Sequence, residues 1–350
     1  MKKFLKFLLI LIIILLILVL AAGVGGYFFL KDKLAQIQYE ELDKEQLDIN
    51  NDLYNEVADD ISIEEFNEIK TIVLYGSDSR NIEDIYNDGR SDCIIIASIN
   101  PIDHTLKFIS IPRDTYVTVP KYGKTKINHA FAWGGEQLSM QTINQNFGLN
   151  VSEFITIGWE GVKCIIDDIG GIDLEISESE LNYINKNVGY TAKNSNGDPT
   201  KVPNAGLVHL NGTQVMTHCR NRYVGSDFVR AERQRTVIQK VLEKVMQMEV
   251  SEINELVNKF LGYVKTNINI KDYTKFIPSI LKYKDEYLAG VTSAQVPSTT
   301  YGRGQMIDKI YYFVGDLETC RADFRKYLFN SEKKQEVIEE TPNNTTNTTN

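Results

Sequence analysis

The sequence predicts an α/β fold: a layered α-β-α sandwich with a central mixed sheet, preceded by one N-terminal transmembrane helix. Three observations predict it. Short β-branched runs alternate with segments of helical period along residues 71–330. Gly, Asn, Asp or Pro bounds most of those runs. A charge-free apolar run fills residues 7–30.

Taken in order, the spacing predicts strands at 71–75, 93–99, 106–111 and 116–119, then a helix at 136–147. A strand at 154–157 leads to a helix at 161–169, closed by Gly170-Gly171, and to a strand at 172–176. The polar stretch 186–204 reads as a surface loop. Helices are expected at 211–217 and 227–248, the second long and amphipathic, and at about 251–263 and 271–282. A short strand near 293–296 and a helix near 306–327 complete the body. No internal repeat is evident. The domain reading is a cytoplasmic N-terminus 1–6, a span 7–30, an acidic solvated stalk 31–70, a catalytic body 71–330 and a polar tail 331–350 with too little apolar matter to fold.

The 24 residues of 7–30 exceed the roughly 20 needed to cross the hydrocarbon as a helix. Lys2, Lys3 and Lys6 precede them, which favours a cytoplasmic N-terminus and an extracellular body at the cell membrane. A cleaved secretory signal ending near Ala21-Ala22-Gly23 is the alternative, although the apolar run continues through residues 27–30. Either way the body is extracytoplasmic.

The chain has 350 residues, 43% hydrophobic and 24% charged, which excludes a wholly disordered chain, a collagen-like repeat and a small disulfide scaffold. Its net charge is −9, but residues 31–70 alone carry −9 and the body 71–330 only −1. A near-neutral body speaks against nucleic acid as a partner. Cys93, Cys164, Cys219 and Cys320 form no C-x-x-C pair, and spacing alone assigns no disulfide.

Eight of the 11 arginines fall in two blocks: Arg80, Arg90 and Arg113, then Arg220, Arg222, Arg230, Arg233 and Arg235. Arginine suits planar, bidentate binding of phosphate oxygens. Those of the first block lie at or just beyond predicted strand ends, where open α/β sheets bind ligands. Asp78 and Asp92 lie among them and could hold Mg²⁺, usually bound by one or two carboxylates plus substrate phosphates. In the second block Arg220 and Arg222 alternate, so an extended segment would point both the same way. Arg230, Arg233 and Gln234 share a helix face behind Asp227. Read singly, each pair is a surface ion pair. As a set they predict a composite diphosphate site. The four histidines read as structural.

At these residues the chain resembles the LytR–CpsA–Psr family of wall-polymer ligases. The resemblance is carried by Leu74-Tyr75-Gly76-Ser77-Asp78-Ser79-Arg80, Gly89-Arg90-Ser91-Asp92, Ser110-Ile111-Pro112-Arg113-Asp114 and Lys126-Ile127-Asn128. Further on it is carried by Ala132-Trp133-Gly134-Gly135, Asp168-Ile169-Gly170-Gly171-Ile172-Asp173 and His209-Leu210-Asn211-Gly212. The last two motifs are Arg220-Asn221-Arg222 and Asp227-Phe228-Val229-Arg230-Ala231-Glu232-Arg233-Gln234. The resemblance implies an extracytoplasmic, Mg²⁺-dependent phosphotransferase. It would pass a phosphoglycosyl polymer from a polyprenyl-pyrophosphate lipid to a muramic acid hydroxyl of peptidoglycan.

By position it implies Asp78 and Asp92 as metal ligands and Arg80, Arg90, Arg113, Arg220 and Arg222 as pyrophosphate ligands. Lys126, Arg230, Arg233 and Gln234 surround them. Asp92, Arg113, Asp78 and Arg222 are the catalytic candidates. Asp92 is the first choice of general base, with Asp78, Asp114 and Asp227 as alternatives. The family's lipid pocket runs between sheet and helices; 162–169 and 236–246 are candidates for it or plain core. The residues also leave open a membrane-anchored binding or regulatory protein, and a hydrolase of the same diphosphate.

Overall fold

The computed structural model describes residues 38–77, 91–221, 263–269 and 282–329, with positions 233, 236, 237, 240, 241, 244, 248, 252, 255, 256, 259 and 279. The expected span 7–30 and tail 331–350 lie outside the described residues. Among the described residues no helix is long and apolar enough to cross a membrane.

A seven-stranded mixed sheet forms the centre. Its strands are β1 (Gln38–Tyr39), β2 (Lys70–Ser77), β3 (Ser91–Asn100), β4 (Thr105–Ile111), β7 (Glu153–Gly158), β10 (Val264–Thr266) and β11 (Val291–Gln295), in the order β1-β10-β7-β2-β3-β4-β11. The pairs β2–β7 and β4–β11 are parallel, while β2–β3 and β3–β4 are antiparallel. Three two-stranded pieces flank it: β5 (Tyr116–Val119) with β6 (Gly123–Lys126), β8 (Ile172–Ile176) with β9 (Gly206–Leu210), and β12 (Arg303–Ile307) with β13 (Ile310–Val314).

Both faces of the sheet are buried, which is why its strands read as unbroken apolar runs. Along β2, Ile72 and Leu74 enter one core, while Val73 and Tyr75 enter the other. The first core holds side chains of helices Trp159–Asp168, Glu178–Ser195 and Gly212–Cys219; the second, those of helices Ile127–Phe147 and Leu317–Phe329. The candidate lipid-pocket residues Ile165, Ile166, Ile169, Val237 and Val241 are buried in the first core. Described positions of the expected helix 227–248 are helical at 233, 236, 237, 240, 241 and 244. None of the four cysteines forms a disulfide.

Three expectations need correction. The acidic segment is no solvated stalk over its described part. Leu42, Leu47, Leu53, Val57, Ile61 and Ile69 are buried in the second core, and β1 pairs with β10. The stretch 186–204 is half helix: helix Glu178–Ser195 opens on a Ser177–Glu180 capping box and buries Ile184, Val188 and Ala192. The segment from 306 begins as a hairpin, because Asp308 and Lys309 take the two positive φ values that a two-residue turn needs. Helix Leu317–Phe329 follows, its start fixed by Asp316 Oδ2 accepting from Thr319 N at 2.8 Å. The helix expected at 136–147 is present; a helical segment from Ile127 precedes it, set off by the non-helical Gly134 and Gly135, and Gly135 turns the chain at φ 59°.

Leu47 is fully buried, so Leu47→Ala is expected to cost about 2–5 kcal/mol in urea unfolding. A solvated stalk would lose less than about 0.5 kcal/mol.

Candidate active site

The first arginine block is built at one end of the sheet. There β2 ends at Ser77, paired with Ser91 at the start of β3 and with Gly158 at the end of β7. β4 ends at Ile111, and Pro112 offers no N–H to extend the ladder. Thr115 N bonds back to Pro112 O at 3.0 Å and Thr115 Oγ1 to the same oxygen at 2.6 Å, closing a tight turn that displays Arg113 and Asp114.

From this turn runs a chain of four charges. Arg113 Nη1 donates to Asp92 Oδ1 at 2.7 Å, and Arg113 Nε to Asp114 Oδ2 at 3.4 Å. Lys126 Nζ donates to Asp114 Oδ1 at 2.6 Å. All four side chains are partly buried, so these pairs are screened less than surface ones. Lys126 stands at the N-terminal boundary of helix Ile127–Phe147 without a side-chain capping bond, and its ammonium lies 5.9 Å from the Tyr312 ring centroid. Asn128 N donates to Arg113 O at 3.3 Å, tying the helix start to the same turn.

The second block is held differently. Arg220 follows helix Gly212–Cys219, and its carbonyl accepts from Tyr183 Oη at 3.4 Å. Asn221 is fully buried, and its carbonyl accepts from Arg233 Nη1 at 3.2 Å. Arg233 Nε donates to Glu180 Oε1. Glu180 Oε2 accepts from Ser177 N at 2.9 Å and Ser177 Oγ at 2.8 Å. Arg233, expected among the phosphate ligands, is only 5% exposed and braces the peptide between Arg220 and Arg222.

Burial alone would raise the Glu180 carboxyl; the Ser177 amide and the Arg233 guanidinium outweigh it and hold it below the ordinary value. Burial pushes the His218 imidazole down to about 4, with Glu180 opposing and Arg233 assisting. Burial likewise pushes the Cys219 thiol up to about 12, so it acts as a small apolar group.

The structure therefore brings Asp92, Arg113 and Lys126 together and places Arg220 and Arg233 in a second network. Asp92 and Arg220 each adjoin a cysteine packed into or against the first core, Cys93 and Cys219. Asp78, Arg80, Arg90, Arg222, Arg230 and Gln234 lie outside the described residues, as do Asp227 and Arg235. Sequence reasoning missed Glu180, which stands 53 residues from Arg233, and Tyr312, placed by a hairpin that was read as helix. The Ser177–Glu180 spacing was the available signal for the first; the unbroken apolar run 310–314 suits strand and helix alike and offered none for the second. Among the described residues no cluster of three or more His, Cys, Asp or Glu could hold a metal ion. Asp92 offers the hard oxygen donor that Mg²⁺ prefers, and a site of one or two carboxylates plus phosphate oxygens needs no larger cluster.

The model of the LytR_cpsA_psr family matches residues 28–326. The chain belongs to the LytR–CpsA–Psr family. It is 30% identical over 209 residues to the polyisoprenyl-teichoic acid–peptidoglycan teichoic acid transferase TagU of Enterococcus faecalis, covering 59% of this chain and 63% of that protein. To the TagU of Bacillus mycoides it is 35% identical over 202 residues, covering 57% and 60%. The chain thus spans about 60% of the length of these curated relatives. Among solved structures it is similar to the LytR-CPS2A-psr family protein YwtF (TagT) with bound octaprenyl pyrophosphate lipid. The TM-score is 0.54 at 22% identity, over 75% of this chain and 90% of that one. That likeness establishes the fold as the LytR–CpsA–Psr fold.

Burial makes the folded chain disfavour the protonated His218 ring. Between the ordinary value of 6.5 and about 4 the unfolded chain binds a proton that the folded chain refuses. Stability is therefore expected to fall by up to about 3 kcal/mol as the pH drops through that window. The loss from Glu180 comes only below its ordinary 4.5, so the two effects separate. Urea midpoints against pH should show the slope, and His218→Gln should flatten it above pH 4.5.

Proposed function

We propose that this LytR–CpsA–Psr protein is an extracytoplasmic phosphotransferase, anchored in the cell membrane by residues 7–30 as a single-pass helix. It moves a phosphoglycosyl polymer, a teichoic acid, capsule or similar glycan, from a polyprenyl-pyrophosphate lipid to a muramic acid hydroxyl of peptidoglycan. The observation that carries this reading is the half-buried chain Asp92–Arg113–Asp114–Lys126 at the sheet end. The names of the TagU relatives support it.

In this reading Arg113 and Lys126 take oxygens of the diphosphate, joined by Arg80, Arg90, Arg220 and Arg222. Asp92, oriented by Arg113 Nη1, accepts the proton of the attacking sugar hydroxyl. That oxygen bonds to the phosphorus bearing the glycan, the bond to the bridging oxygen breaks, and polyprenyl phosphate leaves. The guanidinium and ammonium groups hold the charge that develops on the departing oxygen. Arg233 positions the Arg220–Arg222 segment through Asn221. Mg²⁺, where bound, would be held by Asp92 and Asp78 and would neutralise phosphate charge.

Full-length protein in detergent, given a polyprenyl-diphosphate glycan, Mg²⁺ and peptidoglycan oligomers, tests the reading. Glycan joined to peptidoglycan supports it. Free glycan phosphate despite acceptor means a hydrolase, and tight lipid binding without turnover means a regulatory binding protein. Arg113→Ala is expected to stay folded by circular dichroism and to lose about 10²–10³-fold in transfer. Wild-type transfer in that variant rejects the site.

A further inference from the structure

The hairpin that delivers Lys126 to the site carries a second feature that the reaction does not use. Tyr122, in the turn between β5 and β6, is 54% exposed, and Trp133, on helix Ile127–Phe147, is 44% exposed. Their rings stack with centroids 4.5 Å apart and planes 29° apart. The arrangement is built from several supports. Tyr122 N bonds Val119 O at 3.0 Å. His129, one turn before Trp133, packs its ring 5.1 Å from the indole, and its Nδ1 meets Thr125 Oγ1 of the hairpin at 2.8 Å. Gly134 and Gly135 break the helix directly after Trp133.

Large exposed aromatic surface held in place is a binding feature more than a packing one. Its surroundings state the charge of the occupant. Residues 116–126 contain Lys121, Lys124 and Lys126 and no acidic residue, and Lys121 and Lys124 are exposed. Lys126 is the lysine bonded to Asp114. Seven residues at 1.5 Å rise put Trp133 about 10 Å along the helix from Lys126. A chain leaving the phosphate site over this face therefore meets aromatic rings flanked by cations.

We propose that Tyr122 and Trp133 form a saccharide platform for the donor: they stack the sugars, and Lys121 and Lys124 pair with the phosphates, of the glycan beyond its diphosphate. The inference rests on the function proposed above and adds where the polymer runs. Phosphate-bearing donor polymer is favoured over the peptidoglycan acceptor because exposed Lys121 and Lys124 flank Tyr122 in sequence, and a donor repeats a phosphate along its length whereas the acceptor's sugar backbone carries none.

The chain has two tryptophans, so Trp159→Phe leaves Trp133 as the reporter. A soluble, lipid-free poly(glycerol phosphate) bearing sugars is expected to change Trp133 emission saturably and to lose affinity as salt is raised. Tyr122→Ala in that background should bind it about tenfold more weakly, and Lys121→Ala with Lys124→Ala should weaken it and blunt the salt dependence. No response to the phosphate polymer, or an equal response to phosphate-free peptidoglycan oligomers, overturns the proposal. Binding is read here without turnover, so absence of transfer in the wild type would reject the ligase reading and leave this measurement standing. With transfer present, Tyr122→Ala should lose about tenfold more turnover on a long polymer donor than on a donor with one or two sugars; equal losses on both also overturn it.

Discussion

Arg113 is fixed between two carboxylates, and the rest of the site depends on that pairing. A guanidinium on a free turn would sample many rotamers, and an incoming diphosphate would have to order it at the moment of binding. Here Asp92 holds Nη1 from β3 and Asp114 holds Nε from the turn, while Lys126 leans on the other oxygen of Asp114. The acids neutralise the cations only in the sum. Locally they aim them, because each bond fixes a direction. The second block follows the same logic one layer deeper. Glu180 holds Arg233, Arg233 holds the Asn221 carbonyl, and so the backbone between Arg220 and Arg222 is set by a part-buried ion pair. Removing one partner of such a pair leaves an unpaired charge in the interior, which is costly. Expectations of phosphate binding at Arg233 and bracing by Arg233 therefore differ in kind: one asks for an open guanidinium, the other for a sealed one.

Much of the fold was legible where burial dictates pattern. Strands β2, β3, β4 and β7 lie between two cores, so nearly every side chain of their middles is apolar and the runs stand out. Arg113 was legible because arginine is scarce in the chain and clusters beside strand ends, whereas Lys126 was legible only through the family resemblance. Legibility failed where composition and pattern disagree. Residues 38–69 carry so many acids that they read as solvated. Yet Leu42, Leu47, Leu53, Val57 and Ile61 are spaced to anchor each short turn onto the second core while the acids face out. In 178–195, Asn and Lys on the outer face hide Ile184, Val188 and Ala192 at helical spacing on the inner one. The apolar run 310–314 suits a strand or a helix equally, and only the turn at Asp308-Lys309 decides. Glu180 was out of reach for another reason: a partner 53 residues away is chosen by packing, which local pattern does not encode.

Integration of the acidic segment changes the geometry of the proposed reaction. A stalk of 40 residues would let the body stand well away from a bilayer. With β1 beginning at Gln38 and paired to β10, the body starts there. If residues 7–30 span the membrane, only residues 31–37 join the two. Whatever their conformation, seven residues reach no further than about 25 Å. In the proposed reaction, such a short tether would keep the domain near the surface where a lipid-linked diphosphate resides and raise its effective concentration there. It also restricts which sheet end can face the bilayer. β1 enters the sheet beside β10, antiparallel to β7, and β7 ends at the same edge as Ser77 and Asp92. The start of β1 and the charged edge are thus two fixed points of one sheet. In the proposed reaction, the packing of the acidic segment would therefore bear on how a lipid-linked donor reaches the charged edge.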